Sequence, residues 1–131
     1  MFRILAIGDV VGRPGRAVLA HFLPRLREER GVDFVVANAE NAASGSGITE
    51  KIYAEIRGYG ADVISMGDHA YKRRESLPLF DRSLQPGRKD RQPVLLEEHK
   101  GVEYAGPCLA QERFGTVSMD DIDLLLLQRF L

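Results

Sequence analysis

Three short apolar runs, each closed by a small or polar cluster, limit the fold more than any other feature of the chain. Residues 2–7 are apolar except for Arg3, carry the β-branched Ile4 and Ile7, and are followed by Gly8-Asp9. Residues 33–38 hold Phe34, Val35 and Val36 and end on Asn38. Residues 62–66 hold Val63, Ile64 and Met66 and are followed by Gly67-Asp68. Runs of this length without strict alternation read as strands buried on both faces, the pattern of a parallel sheet.

Between the runs lie helical patterns. Val18, Leu19, Phe22, Leu23 and Leu26 recur at helical spacing, with arginine and glutamate on the other face. Pro14 suits a first turn and Gly31 a stop, whereas Pro24 predicts a kink or split. Thr49 is placed to cap a helix over 50–57 with Ile52, Tyr53 and Ile56 as its stripe, and Gly58 and Gly60 end it. A further helix is expected over 73–80. Each crossover is long enough for a right-handed parallel connection. The expected fold is therefore α/β, a parallel β-α-β-α-β core with helices packed on the sheet.

After residue 82 the character changes. Residues 84–92 read as a polar loop; 93–96 and 102–104 read as short strands around a turn over 97–101. Ser118 followed by Asp121 forms a capping box, and Leu124 to Leu127 are apolar on all sides. This predicts a helix over 119–130 that needs burial in a core or against a partner. The expected division is an α/β half-domain over 1–82 and a divergent tail over 83–131.

Composition excludes several function classes. With 131 residues, 44% hydrophobic and 28% charged, the chain matches an ordinary globular domain, not a disordered segment or a fibre. No apolar run approaches the roughly 20 residues of a membrane span. A net charge of −1 gives no nucleic-acid footprint. The single cysteine, Cys108, cannot form an internal disulfide, so a reducing cytoplasm is the expected compartment. Cys108 also has no histidine near it in sequence to activate it as a nucleophile.

Function is legible in where the polar residues fall. Asp9 follows the first run; Asn38, Glu40 and Asn41 follow the second; Asp68 and His69 follow the third. In an open parallel sheet, ligands bind outside the carboxyl ends of the strands. Three carboxylates converging there repel one another unless a cation holds them. Such an oxygen-rich set suits a hard divalent metal, and an added imidazole admits Mn, Fe or Zn. Each residue taken alone has a plainer reading as a helix cap, turn or loop residue. Their joint placement at three strand ends favours a site. Rival readings remain. The glycines at 8, 12 and 15 match neither G-x-G-x-x-G nor a P-loop, but Glu40 stands where a dinucleotide fold carries its acidic residue. Residues 42–47 read as a flexible loop or as a run of backbone N–H groups for a phosphate. Lys72, Arg73 and Arg74 read as a solvated helix start or as an attractor of an anionic substrate. His21 reads as structural, and His99 as part of a solvated turn.

The segments Gly8-Asp9-Val10-Val11-Gly12-Arg13-Pro14-Gly15-Arg16, Asn38-Ala39-Glu40-Asn41-Ala42-Ala43, Gly47-Ile48-Thr49-Glu50-Lys51-Ile52-Tyr53 and Gly67-Asp68-His69 together resemble the N-terminal half of the YmdB-like metallophosphoesterases, a branch of the calcineurin-like superfamily. The resemblance runs through about residue 82. It implies a metallophosphoesterase-like α/β sandwich, in truncated form here. It also implies a centre of two iron or manganese ions, phosphodiesterase activity towards cyclic-nucleotide-like phosphodiesters, and a homo-oligomer. By resemblance, Asp9 would bind one metal, Glu40 would bridge both, and Asp68 would bind the second, where the family usually has Asn. His69 would be the general acid, and Asn41 would help bind the substrate or support the metal shell. The family's later His-Ala-Glu and Gly-Thr-His-Thr-His motifs do not occur in this sequence. His99 or a second chain would have to complete a two-metal site. The alternative is a non-catalytic module of the same descent that binds a nucleotide, or binds a partner through the apolar C-terminal helix.

Overall fold

The computed structural model describes residues 1–84, 94–98, 101–104 and 122–127. β1 (Phe2–Ile7), β2 (Phe34–Asn38) and β3 (Val63–Met66) form where the three apolar runs predict them. They alternate with α1 (Gly12–Glu29) and α2 (Glu50–Gly58). Beyond β3 come two 3-10 turns, Ala70–Lys72 and Arg74–Ser76, and then α3 (Leu77–Leu84). The later strands are β4 (Val94–Glu98), β5 (Gly101–Tyr104) and β6 (Ile122–Leu127). All six lie in one sheet of order β5-β4-β3-β2-β1-β6. Every neighbouring pair is parallel except β4 with β5.

Burial follows the runs. All four residues of β3 are buried, as are Leu5 and Ile7 of β1 and Val35 and Ala37 of β2. Leu19 and Leu23 of α1, Tyr53 and Ile56 of α2, and Leu79 and Phe80 join them in one core. α1 approaches the sheet through Gly15, where a Cβ would stand 3.3 Å from the Val10 carbonyl carbon. The helix presents Gly15, Leu19 and Leu23 inward, and Phe22 stays 49% exposed beside the exposed His21. The apolar stripe is thus narrower than the sequence spacing predicts. α1 also runs through Pro24 without a break. It ends in a Schellman motif: Gly31 N–H donates to Glu28 O at 3.3 Å and Val32 N–H to Arg27 O at 2.9 Å, with Gly31 at φ +57°. Thr49 caps α2 as expected, its Oγ1 accepting from Ile52 N–H at 3.2 Å.

The largest correction concerns the C-terminal segment. The helix expected over 119–130 is a strand throughout its described part, Ile122–Leu127; residues 119–121 and 128–130 lie outside the described residues. The apolar run 124–127 has no alternation, so periodicity cannot separate a buried helix turn from a strand covered on both faces. Pairing with β1 decides it. Phe2 to Ile7 lie opposite Ile122 to Leu127, and Arg3 Nε donates to Asp123 Oδ2 at 2.9 Å. A one-residue slip would part that ion pair. The partner-binding apolar helix accordingly has no counterpart among the described residues.

Candidate metal centre

The carboxyl ends of β1, β2 and β3 are stitched together by backbone bonds before any side chain acts. Val10 N–H donates to Asn38 O at 3.0 Å, Gly12 N–H to Asn41 O at 3.0 Å, and Ala39 N–H to Ser65 O at 3.0 Å. Asp9, Glu40 and Asp68 leave the sheet side by side for this reason.

Residues 42–47 fold back on themselves. Ala42 N–H donates to Ala39 O, Ala43 N–H to Gly47 O, Gly45 N–H to Asn41 O, Ser46 N–H to Ala43 O and Gly47 N–H to Glu40 O. Those N–H groups are therefore committed, which removes the phosphate-cradle reading for this stretch. Two arginines hold the turn from outside. Arg16 Nη1 donates to Ala42 O at 2.6 Å, and Arg73 gives Nε to Ser46 O and Nη2 to Ala43 O, both at 2.7 Å. Gly47, at φ +73°, lies so close to Arg73 that a Cβ would stand 3.0 Å from its Cγ. The sequence places Arg73 in a solvated basic start of a helix; its clamp on a turn 26 to 30 residues earlier is visible only in three dimensions. Lys72 is exposed.

Among the side chains, Glu40, Asp68 and His69 each offer a ligand atom, and these atoms all lie within 4.8 Å of one another. Glu40 and His69 are half-buried, and Asp68 is exposed. His69 Nε2 lies 4.0 Å from Asp68 Oδ2. Glu40 reaches this position because residue 67 has no side chain: a Cβ there would fall on Glu40 Oε2. The glycine of Gly67-Asp68-His69 is thus a steric requirement of the carboxylate from the neighbouring strand end. Asp9 is held at one remove. Asn41 Nδ2 donates to Asp9 Oδ1 and Oδ2 at 2.9 and 3.0 Å and reaches Glu40 Oε1 at 3.5 Å. Asn41 Oδ1 lies 2.6 Å from His69 Nδ1. Asn38 turns inward, its Oδ1 accepting from Glu40 N–H at 3.3 Å.

The structure thus assembles Glu40 and Asp68 with His69, and ties Asp9 to them through Asn41. Two carboxylates and an imidazole with converging donor atoms fit a divalent ion of the Mn, Fe or Zn type. Glu40, which a dinucleotide fold would turn towards a ribose, faces Asp68 and His69 instead. His99 and Cys108 lie outside the described residues.

Known proteins match this same stretch. The family described as YmdB-like protein matches residues 5–88. Over 79 residues the chain is 46% identical to the 2′,3′-cyclic-nucleotide 2′-phosphodiesterase of Bacillus subtilis (strain 168), covering 60% of this chain and 30% of that protein. A hypothetical protein from Thermus thermophilus superposes with a TM-score of 0.61 at 31% identity, over 77% of this chain and 37% of that one. A phosphatase from Mycoplasma pneumoniae superposes with a TM-score of 0.55 at 28% identity, over 70% and 30% of the two chains. The chain therefore spans about a third of the length of these relatives.

Proposed function

Because the chain belongs to the YmdB-like family, matched over residues 5–88, we propose that it acts as a metal-dependent phosphodiesterase on small cyclic-nucleotide-like phosphodiesters. The observation that carries this reading is the convergence of Glu40, Asp68 and His69 within 4.8 Å, in a space that Gly67 keeps clear.

Glu40 and Asp68 would hold the metal, iron or manganese, with Asp9 beside them as the third carboxylate. When bound, such an ion supplies Lewis-acid polarisation of the phosphoryl oxygens. By the resemblance, Asp68 stands where the family usually has Asn; it adds a negative charge and still offers oxygen ligands to the metal. His69 acts as the general acid. As water adds to phosphorus and gives up a proton to solvent, the P–O ester bond breaks, and the leaving oxygen keeps the bonding pair and takes a proton from His69 Nε2. Asn41 lines the same cleft and contacts the substrate there. Lys72, exposed just beyond His69, raises the local concentration of an anionic substrate. By the family resemblance, a homo-oligomer accompanies the proposal. The single cysteine suits a reducing, cytoplasmic setting.

Metal analysis together with hydrolysis of bis(p-nitrophenyl) phosphate tests the reading. Bound Mn or Fe and turnover abolished by Glu40→Ala are expected; neither metal nor Glu40-dependent turnover would sink it. One rival is a nucleotide-binding module without catalysis. Metal and nucleotide binding without hydrolysis in the same experiment would select it.

A further inference from the structure

The turn over residues 42–47 joins the three strand-end segments. It follows Glu40 in the chain, and Gly47 N–H returns to Glu40 O. Its carbonyls are gripped from two sides. Arg16, which lies beyond Asp9 on α1, donates Nη1 to Ala42 O at 2.6 Å. Arg73, which lies beyond Asp68 and His69, donates Nε to Ser46 O and Nη2 to Ala43 O, both at 2.7 Å. Each arginine is itself held. Arg16 Nε stands 3.3 Å from Glu55 Oε2, and the Tyr59 hydroxyl donates to Glu55 Oε1 at 2.5 Å, so Glu55 of α2 steadies the first clamp. The Arg73 carbonyl accepts from the Ser76 hydroxyl at 2.6 Å and from Ser76 N–H at 3.1 Å, and Ser76 is fully buried. Ahead of Arg73, Ala70 N–H donates to Gly67 O at 3.0 Å and Lys72 N–H to His69 O at 3.2 Å. A path of short turns and hydrogen bonds thus runs from the Asp68–His69 segment through Arg73 to the turn, and from the turn through Arg16 to the helix that follows Asp9.

Resting on the metal-dependent phosphodiesterase reading, we infer that Arg16 and Arg73 are positioning residues: acting through the 42–47 turn, their guanidinium groups set the spacing of Glu40 against Asp68 and His69 before a metal binds. The need for such a frame is electrostatic. Glu40 and Asp68 are like-charged groups whose donor atoms lie within 4.8 Å of one another, and like charges at that range repel. On loosely held loops they would move apart. Both arginines bond main-chain carbonyls of the turn, so they fix the backbone behind Glu40 without neutralising a ligand. Donors already in place bind a metal without the cost of drawing repelling loops together, so affinity is the quantity the clamps control. Lysine cannot replace Arg73 here, because an ammonium is a point charge with no planar fork for two carbonyls.

Calorimetric titration of the full chain with Mn²⁺ tests this, each variant being checked for native circular dichroism. Arg16→Ala and Arg73→Ala are each expected to raise the Kd for Mn²⁺ about 10- to 100-fold. Arg73→Lys keeps the aliphatic stem that packs on Gly47, so it serves if the alanine variant does not fold, and the same loss is expected of it. Added guanidinium ion should restore much of the affinity of Arg73→Ala, and methylammonium should not, a difference that a general weakening of the fold would not produce. Wild-type affinity in the folded variants, or a loss in Arg73→Ala that guanidinium repairs no better than methylammonium, overturns the inference. Arginine-dependent Mn²⁺ affinity in a chain that does not hydrolyse bis(p-nitrophenyl) phosphate supports the clamps and overturns the phosphodiesterase reading alone. A wild type that binds no Mn²⁺ overturns both.

Discussion

The two ends of the sheet use the same residue types in opposite ways. At the amino ends of the strands, carboxylates are matched by arginine. Arg27 Nη1 donates to Asp62 Oδ2 at 2.8 Å and to Gly60 O at 2.5 Å, while Asp62 Oδ2 also accepts from Val35 N–H at 2.9 Å. Arg3 N–H donates to Asp33 Oδ2 at 2.8 Å, and the Arg3 guanidinium bonds Asp123 and Arg30 O. At the carboxyl ends, Asp9, Glu40 and Asp68 have no lysine or arginine at ion-pair distance among the described residues. Near that edge Arg16 pairs with Glu55 at 3.3 Å and donates to Ala42 O, and Arg73 donates to Ser46 O and Ala43 O. One end holds its carboxylates with guanidinium and backbone N–H groups. The other gathers three carboxylates without such partners, the arrangement that the proposed metal would offset.

The contrast can be broken from the structural end first. Asp62 is 8% exposed, so Asp62→Ala removes the carboxylate partner of a half-buried guanidinium and the side-chain acceptor of the Val35 N–H. A loss of about 3 kcal/mol is expected in urea unfolding, with metal binding per folded molecule unchanged. A loss below about 1 kcal/mol would mean that the two ends do not differ in this way. At the other end, Mn²⁺ should stabilise the chain by about 2.7 kcal/mol at a hundredfold excess over its Kd, and Glu40→Gln should abolish that gain while leaving the metal-free chain as stable as before. Thermal unfolding with and without metal reads both. Arg73→Ala sharpens the picture: releasing Ala43 O and Ser46 O should cost about 1–2 kcal/mol and weaken metal binding as the turn behind Glu40 loosens, measured by calorimetric titration.

The smallest effect belongs to neither edge. The Tyr53 hydroxyl is buried without a hydrogen-bond partner among the described residues, and burial pushes its pKa from 10.0 up to about 12, against a weaker opposing influence of Arg57. A folded-state value raised in this way gives stability that is full below about pH 10 and lost as pH climbs from 10.0 through about 12. Tyr53→Phe should add about 1 kcal/mol at neutral pH and flatten the alkaline limb of a stability–pH curve. An unchanged alkaline limb would assign that loss to other groups.

How far the sequence could be read depended on the range of the interaction. β1, β2 and β3 and the polar clusters after them were legible because each run and its terminator are contiguous in the chain. So were the Thr49 cap and the Gly31 stop. β6 was not, because its apolar run has no period and its fate is set by β1, 120 residues away. The exposure of Phe22 was likewise decided by which stripe of α1 met the sheet. At the site, the residues could be named from the sequence, but their grouping could not. The clearance at Gly67, the clamp of Arg73 and the bridge of Asn41 between Asp9 and His69 all join residues that only folding brings together.

β6 has a consequence for anyone handling the protein. The strand that leads to Asp9 would be the sheet's open margin without Ile122–Leu127 beside it. A shortened version ending before residue 122 would keep every residue named in the site and still bare the backbone N–H and C=O groups of β1 as a template for another chain. Because β6 itself ends the described sheet, such a cut would move the open margin from Ile122–Leu127 onto the strand that carries Asp9.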